Sequence, residues 1–281
     1  MQFGLQAVSS LTEIALANHR AVGLLDVRSP DGERFVVRLV VAPDARRQGL
    51  GRYLFQRAAA VASSFLPGAP LRARVRDDDV SSLAWAERRG FSESGHRISM
   101  SRPLSEGPAE LDREAAAAMT RAEVTIARWP ETSMADDWSL LTELLATCLI
   151  DSLDSAGVRA TEETARYIAP NPSSMLIALR DDKPIGMASI APEGHALWNS
   201  WFTGVIPTAR GNGVAAALKL AALALARREG ASQVQTYNDV MNEPIIRLNE
   251  SLGYERRPGI RLLRGVAIGP DSRSDGPTHL R

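Results

Sequence analysis

Two stretches of this sequence have the residue types and spacing to hold an anion. The first is Arg46-Arg47-Gln48-Gly49-Leu50-Gly51 and the second is Arg210-Gly211-Asn212-Gly213-Val214-Ala215. Each follows an apolar run that reads as a strand, residues 35–41 and 201–205. Each opens a segment with apolar residues at helical spacing: Leu50, Tyr53, Leu54, Ala58 and Val61, then Val214, Ala217, Leu218, Ala221 and Leu225. A strand, a glycine-bearing loop and a helix N-terminus together form an anion cradle. The first helical amides lack internal partners and carry the positive end of the helix dipole, so they suit a phosphate. Small loop residues let the backbone approach the ligand closely.

The spacing selects among phosphate loops. Neither copy ends in Gly-Lys-Ser/Thr, which excludes the triphosphate P-loop, and Arg-x-x-Gly-x-Gly/Ala differs from the Gly-x-Gly-x-x-Gly of dinucleotide folds. A second landmark follows each loop: Phe91 of Gly90-Phe91 lies 45 residues after Arg46, and Tyr254 of Gly253-Tyr254 lies 44 after Arg210. The copies are therefore offset by 164 and 163 residues at the two landmarks, which we read as an internal duplication. The loop resembles the acetyl-CoA pyrophosphate loop of the GNAT N-acetyltransferases. The Gly-aromatic pair resembles that family's turn between its last helix and last strand pair. The resemblance implies an α/β (α+β) fold of two tandem lobes, each a mixed, mostly antiparallel twisted sheet flanked by helices. It also implies acetyl-CoA as cofactor and transfer of an acetyl group to a primary amine. The two-lobe arrangement further resembles the mycothiol synthases, whose acceptor is an amino-sugar conjugate.

Carried over position by position, the resemblance puts the amides of Gly211, Asn212, Gly213, Val214 and Ala215 on the pyrophosphate, with Arg210 adding charge. Backbone from Thr203 to Val205 would pair with the pantetheine arm, and Asn238 and Asn242 would hydrogen-bond that arm. Helix capping is the competing reading for Asn238. Arg46, Gly49 and Gly51 are the equivalents in the first copy. Acetyl transfer also needs a neutral amine and a stabilised oxyanion. The family often carries a carboxylate about six residues before the position of Val205; here that residue is Asn199, which cannot take a proton. His195 and Glu193 share its strand parity. His195 is either a base or a turn histidine, and Glu193 is either a base or a solvated turn carboxylate. The family's tyrosine acid falls at Asn249, and at Ala86 in the first copy, so no acid transfers by motif. Trp198 and Trp201 are expected on opposite faces of their strand, in the core or lining the cleft.

The elements needed to position these residues can be read along the chain. In the first lobe, residues 1–103, strands are expected at 21–27 and 35–41 around Ser29-Pro30-Asp31-Gly32. A strand at 71–75, a helix at 79–89 and a closing strand at 98–101 follow the loop. This lobe is shortened ahead of its loop, without a first strand or the paired helices; Glu33 is a possible base or a solvated hairpin residue. A linker covers 104–122, with an alanine-rich helix at 111–119. The second lobe, 123–268, carries the full order and is expected to be catalytic. Its strand 124–129 precedes helices from 135 and over 161–168, then strands at 175–179, 185–190 and 197–205. The loop helix, a strand at 233–238, a helix at 243–252 and a strand at 261–266 complete it. The tail from Gly269 is expected to be disordered.

Composition bounds the setting. The 281 residues suffice for two ordinary domains, and 33 basic residues balance 33 acidic ones, so no net field favours nucleic acid or an anionic membrane. One cysteine, Cys148, cannot form an internal disulfide, and no apolar run or leader pattern suggests a span or secretion, so a cytoplasmic protein is expected. Acidic residues from Asp136 and Asp137 through Glu143, Asp151 and Asp154 to Glu162 and Glu163 are a solvated face or an attraction for a cationic acceptor. An aminoglycoside-like, polyamine-like or basic-peptide acceptor would fit, and with it antibiotic self-resistance. A non-catalytic acetyl-CoA sensor, a protein N-acetyltransferase and catalysis in the first lobe are the alternatives.

Overall fold

The computed structural model describes residues 10–29, 34–150 and 159–267. Pro30 to Gly32 of the expected turn, Glu33, Asp151, Asp154 and the tail from Gly269 lie outside the described residues. The chain opens with strands β1 (Ser10–Ala17), β2 (Arg20–Arg28) and β3 (Phe35–Val41), then α1 (Leu50–Phe65), β4 (Pro70–Arg76), α2 (Val80–Glu87) and β5 (Ser92–Pro103). Helix α3 (Pro108–Ala122) leads to β6 (Thr125–Arg128), α4 (Trp138–Leu149), α5 (Glu162–Ile168), β7 (Met175–Arg180), β8 (Lys183–Pro192) and β9 (Leu197–Val205). Helix α6 (Val214–Arg228), β10 (Gln233–Asp239), α7 (Glu243–Ser251) and β11 (Glu255–Val266) complete the order. Two compact units result: residues up to 96 with those from 260 onward, and residues 97–259.

In the first unit β2 pairs antiparallel with β1 and β3, while β3 pairs parallel with β4 at Phe35↔Leu71 and Val36↔Arg72. Leu25, Val27, Phe35, Leu54, Ala58, Ala62 and Leu71 form its core, the α1 residues recurring at helical spacing. Strand β1 was not expected. Its apolar Ile14 and Leu16 point outward, 61% and 66% exposed, so alternation there does not mark the buried face. Among the described residues no helix precedes β3 in this unit, in keeping with the expected shortening.

In the second unit the strand order is β5-β10-β9-β8-β7-β6. Helix α6 is apolar nearly all round because it is covered on two sides: β8 and β9 lie under it and α3 lies over it. Leu111, Ala115, Ala118 and Ala122 give α3 a small-residue stripe that allows close approach, and Arg228 pairs with Asp112 across the two helices. Helix α3 is thus a packed layer of this unit rather than a free linker. On the other face, α4 and α5 pack Trp129, Leu141, Leu145, Met175, Ile177 and Met187. Caps fix the helix starts: Asp137 accepts from Ser139 and Leu140 amides, so α4 begins at Trp138 rather than at 135, and Thr161 accepts from Thr164. Arg180 and Lys183 pair across a two-residue turn whose Asp181 and Asp182 both have positive φ, the twist that a tight hairpin requires.

The closing strands are distributed differently from a contiguous reading with a break near 103–123. Residues 97–103 of β5 pair with β10, from Asp239↔Arg97 to Gln233↔Pro103, and put Ile98 and Met100 into the second unit's core. Residues 260–266 of β11 pair with β4, from Ile260↔Arg76 to Val266↔Pro70, and put Leu263 into the first unit's core. Apolar pattern identifies such strands but carries no information about which sheet edge receives them.

Candidate functional site

The site of the second unit is built by the end of β9 and the start of α6. A short turn at Pro207–Ala209 lifts the chain off the sheet, and Gly211 and Gly213 then take φ of +79° and +77°. Nothing lies within 4 Å of where a Cβ at Gly211 would stand, so the conformation rather than space calls for glycine. Gly213 is the N-cap of α6 and offers no capping side chain. The first intrahelical bond runs from the Ala217 amide to the Gly213 carbonyl at 3.0 Å, which leaves the amides of Val214, Ala215 and Ala216 without backbone acceptors. Asn212 is exposed at the tip and donates from its amide to the Arg210 carbonyl at 3.3 Å. This is an uncapped positive helix end, the chemistry that holds a phosphate.

Arg210 has a different position from the one expected. Its guanidinium donates to the carbonyls of Val205 (3.0 Å), Cys148 (3.2 Å) and Ile150 (2.6 Å). The side chain ties the loop to the strand before it and to the C-terminal end of α4, where unpaired carbonyls gather. Three of its five N–H donors, on Nε and Nη2, thus go to backbone carbonyls. Burial pushes the Cys148 thiol up to about 12 against the pull of this guanidinium, so it stays protonated through the neutral range.

Below the loop the sheet opens. Strands β9 and β10 pair parallel from Leu197↔Gln233 to Ser200↔Thr236 and no further, while β10 continues to Asp239 against β5. Residues 201–205 therefore present backbone groups with no partner on that side. The Thr236 hydroxyl donates to the Ser200 carbonyl at 3.2 Å, where the two strands part. At the same point β9 bulges: Phe202 faces Ser189 and Ser200 faces Ile190, so Trp201 has no partner on β8. Beyond the bulge the half-buried Thr203 has a buried hydroxyl oxygen with no hydrogen-bond partner among the described residues. A fork with an unpaired backbone edge and an unsatisfied hydroxyl, under a helix N-terminus, fits a ligand with a phosphate at one end and an extended amide chain at the other.

The polar residues proposed for catalysis do not gather at this fork. His195 is exposed in the turn before β9, five residues back from Ser200, roughly 17 Å at about 3.3 Å per residue. Glu193 is exposed in the same turn and accepts from the Gln235 side chain. His195 stays away from the fork, because strand parity fixes the face of a side chain but not its distance along the strand, whereas Glu193 touches Gln235, the β10 residue before the vertex. Asn199, next to the vertex, is buried, and its Oδ1 has no hydrogen-bond partner among the described residues. Asn249 is fully buried on α7 and donates to Asn238 Oδ1 at 2.8 Å, its own Oδ1 unpartnered. Asn238 is thus occupied inside the protein, and the helix cap is Asn242, which accepts from the Ile245 amide at 3.4 Å. Trp198 packs in the core and Trp201 is exposed, so the two part as expected.

The first unit repeats the cradle. Gly49 caps α1 with φ of +87° and no capping side chain, the first bond runs from Tyr53 to Gly49 at 3.0 Å, and Arg46 donates to the Val41 carbonyl at 3.1 Å. Gly51 stands on the first turn of α1, where an added Cβ would lie 3.6 Å from Trp85. Arg47 occupies the left-handed position of Gly211 with φ of +62°. Strands β3 and β4 part after Val36↔Arg72. One feature is missing: the β2–β3 ladder runs without a shift from Gly23↔Val41 to Arg28↔Val36, so this fork has no bulge.

Comparisons with known proteins agree with this geometry. The model of the Acetyltransferase (GNAT) family matches residues 4–91 and 138–254, one stretch for each loop. The chain is 27% identical over 241 residues to a mycothiol acetyltransferase of Thermomonospora curvata, covering 81% of this chain and 73% of that protein. It is 29% identical over 248 residues to the mycothiol acetyltransferase of Acidothermus cellulolyticus, covering 81% and 69%. A solved tandem GNAT protein from the clavulanic acid biosynthesis pathway superposes with a TM-score of 0.71 at 22% identity, over 95% of this chain and 85% of that one. Two copies of one loop, two forks and a two-part family match give one conclusion: the chain belongs to the Acetyltransferase (GNAT) family and is a tandem, acetyl-CoA-dependent acyltransferase.

Proposed function

We propose that the second lobe is the catalytic one and acetylates a primary amine of a small, cationic acceptor. In this reading amides of residues 211–215 hold the pyrophosphate of acetyl-CoA, with Gly211 and Gly213 setting the loop and Val214 and Ala215 opening the helix. The pantetheine arm lies along β9 from Thr203 to Val205, filling the hydrogen-bonding edge that β10 leaves open. Bound acetyl-CoA supplies an activated thioester. The chain's own part is to hold that thioester in the fork, to offer a β9 amide to the developing oxyanion, and to admit the amine beside Trp201. The observation that carries the assignment to this lobe is the bulge at Trp201, which interrupts β9 where the strands part and has no counterpart on β3. Arg46, Gly49 and Gly51 build the equivalent cradle in the first lobe, which we assign to cofactor binding without turnover.

Asn212 and Gln48 are exposed at equivalent loop tips, so a carboxylate at either position tests the lobes without disturbing a core. Asn212→Asp should raise KM for acetyl-CoA about tenfold by repelling the pyrophosphate, and Gln48→Asp should leave turnover within about twofold, read as free thiol released on an amine panel. The opposite ranking would move catalysis to the first lobe.

A further inference from the structure

We infer that Trp201, with Tyr167 and Glu163, forms a recognition wall for a second positive charge on the acceptor, so that the preferred substrate is a diamine or polyamine rather than a monoamine. The inference rests on the assignment of the thioester to the β9–β10 fork. Trp201 stands on the bulge immediately after the last β9–β10 pair, so an amine reaching a thioester in the fork passes it. Trp201 is 39% exposed, at the point where β9 has lost its β10 neighbour and bulges away from β8. Its described ring contact is with Tyr167 of α5, edge-on at 5.7 Å and 84°, and Tyr167 is itself 64% exposed. Two partly exposed aromatic rings at right angles suit a cation held against a ring quadrupole. The same region already uses this chemistry internally: the Arg166 guanidinium lies 4.0 Å over the Trp138 ring.

Charge points the same way. Arg166 is neutralised by Glu162 at 2.6 Å, whereas Glu163 has no ion pair or hydrogen bond among the described residues. Glu163 is four residues before Tyr167, on the same side of α5. The described residues of α4, α5 and their leading turns carry five carboxylates (Asp136, Asp137, Glu143, Glu162 and Glu163) against Arg159 and Arg166, a local excess of negative charge. One amine of the acceptor would sit neutral at the thioester while the next remains protonated between the rings and Glu163. When the thioester is attacked, the new N–C bond replaces the C–S bond, whose electron pair departs on sulfur as the coenzyme A thiolate, the amine proton leaves to water, and the distal ammonium is unchanged.

The test is calorimetric titration of the coenzyme A-loaded protein with 1,4-diaminobutane and with butylamine, together with acetylation kinetics for both. Wild type should bind the diamine at least about tenfold more tightly than the monoamine. Trp201→Ala should abolish that preference, Trp201→Phe should keep part of it, and Glu163→Gln should weaken the diamine alone, all with unchanged coenzyme A affinity. Equal binding of the two amines by wild type, or a Trp201→Ala protein that keeps the preference, would overturn the inference. Loss of coenzyme A binding in wild type would instead overturn the assignment of the cofactor site.

Discussion

Polar side chains around the fork include the buried amides of Asn199 and Asn249 and the hydroxyls of Thr236 and Thr203, with Tyr237 and Asp239 on the stretch of β10 beyond the vertex. Neither the amides nor the aliphatic hydroxyls gain or lose a proton near neutrality. In the proposed reaction the attacking amine arrives neutral and the proton of the tetrahedral intermediate leaves through water. The pH dependence of kcat/KM should then belong to the substrate. It should rise with pH and level off at the amine's own pKa, and for two amines about two pKa units apart the inflection should move by about the same two units. A common inflection near neutrality for both amines would show that a protein base is acting after all. His195 and Glu193 illustrate how far residue-level reading reaches. The types suited to proton transfer are visible in sequence, but both lie in a turn one strand-half away from the fork. In sequence Asn242 reads as a partner of the cofactor arm, and capping is the alternative for Asn238. That Asn242 caps the helix while Asn238 is bonded to Asn249 follows from packing of α7 on β10, which no local pattern encodes.

Between elements, the loop and α4 are joined by one side chain. Arg210 bonds three backbone carbonyls, two of them some sixty residues away, whereas Arg46 bonds the Val41 carbonyl. Removing a side chain that serves several carbonyls costs more than removing one that serves a single group. Arg210→Ala should lower unfolding stability by about 1–3 kcal/mol, and Arg46→Ala by roughly 1 kcal/mol or less, in urea denaturation followed by circular dichroism. Unchanged stability of Arg210→Ala with a selective loss of acetyl-CoA affinity would return the guanidinium to the ligand. The arginine was legible in the motif, but its partners were not, because carbonyls of residues 148 and 150 leave no sequence signal. Helix α6 was legible only in part. Its apolar residues read as a helical stripe, whereas the structure covers it on two sides, the second by α3 through an alanine stripe that in sequence looks like a linker. The bulge at Trp201 was not legible, since a strand with one extra residue reads like any other strand.

At the scale of the chain, the duplication was legible, because the two loops and the two Gly-aromatic turns keep offsets of 164 and 163 residues, and each unit contains its own cradle and fork. The destination of the closing strands was not, since pairing partners of residues 97–103 and 260–266 are set by tertiary context. The first unit lacks helices ahead of its loop among the described residues, and Ile14, Leu16, Val36 and Val40 of β1 and β3 are correspondingly exposed. The second unit covers one face of its sheet with α4 and α5 and the other with α6 and α3, and has the bulge as well. Catalysis is therefore assigned to one of two similar cradles, and the assignment depends on the cofactor occupying the β9–β10 fork under α6. Amide hydrogen exchange measured with and without saturating acetyl-CoA reads that occupancy directly. Amides of residues 201–205 and 211–216 should slow by at least about tenfold when the cofactor fills the fork and the helix end. Exchange at those positions that is the same with and without acetyl-CoA, or protection confined to residues 37–41 and 47–52, would contradict the account.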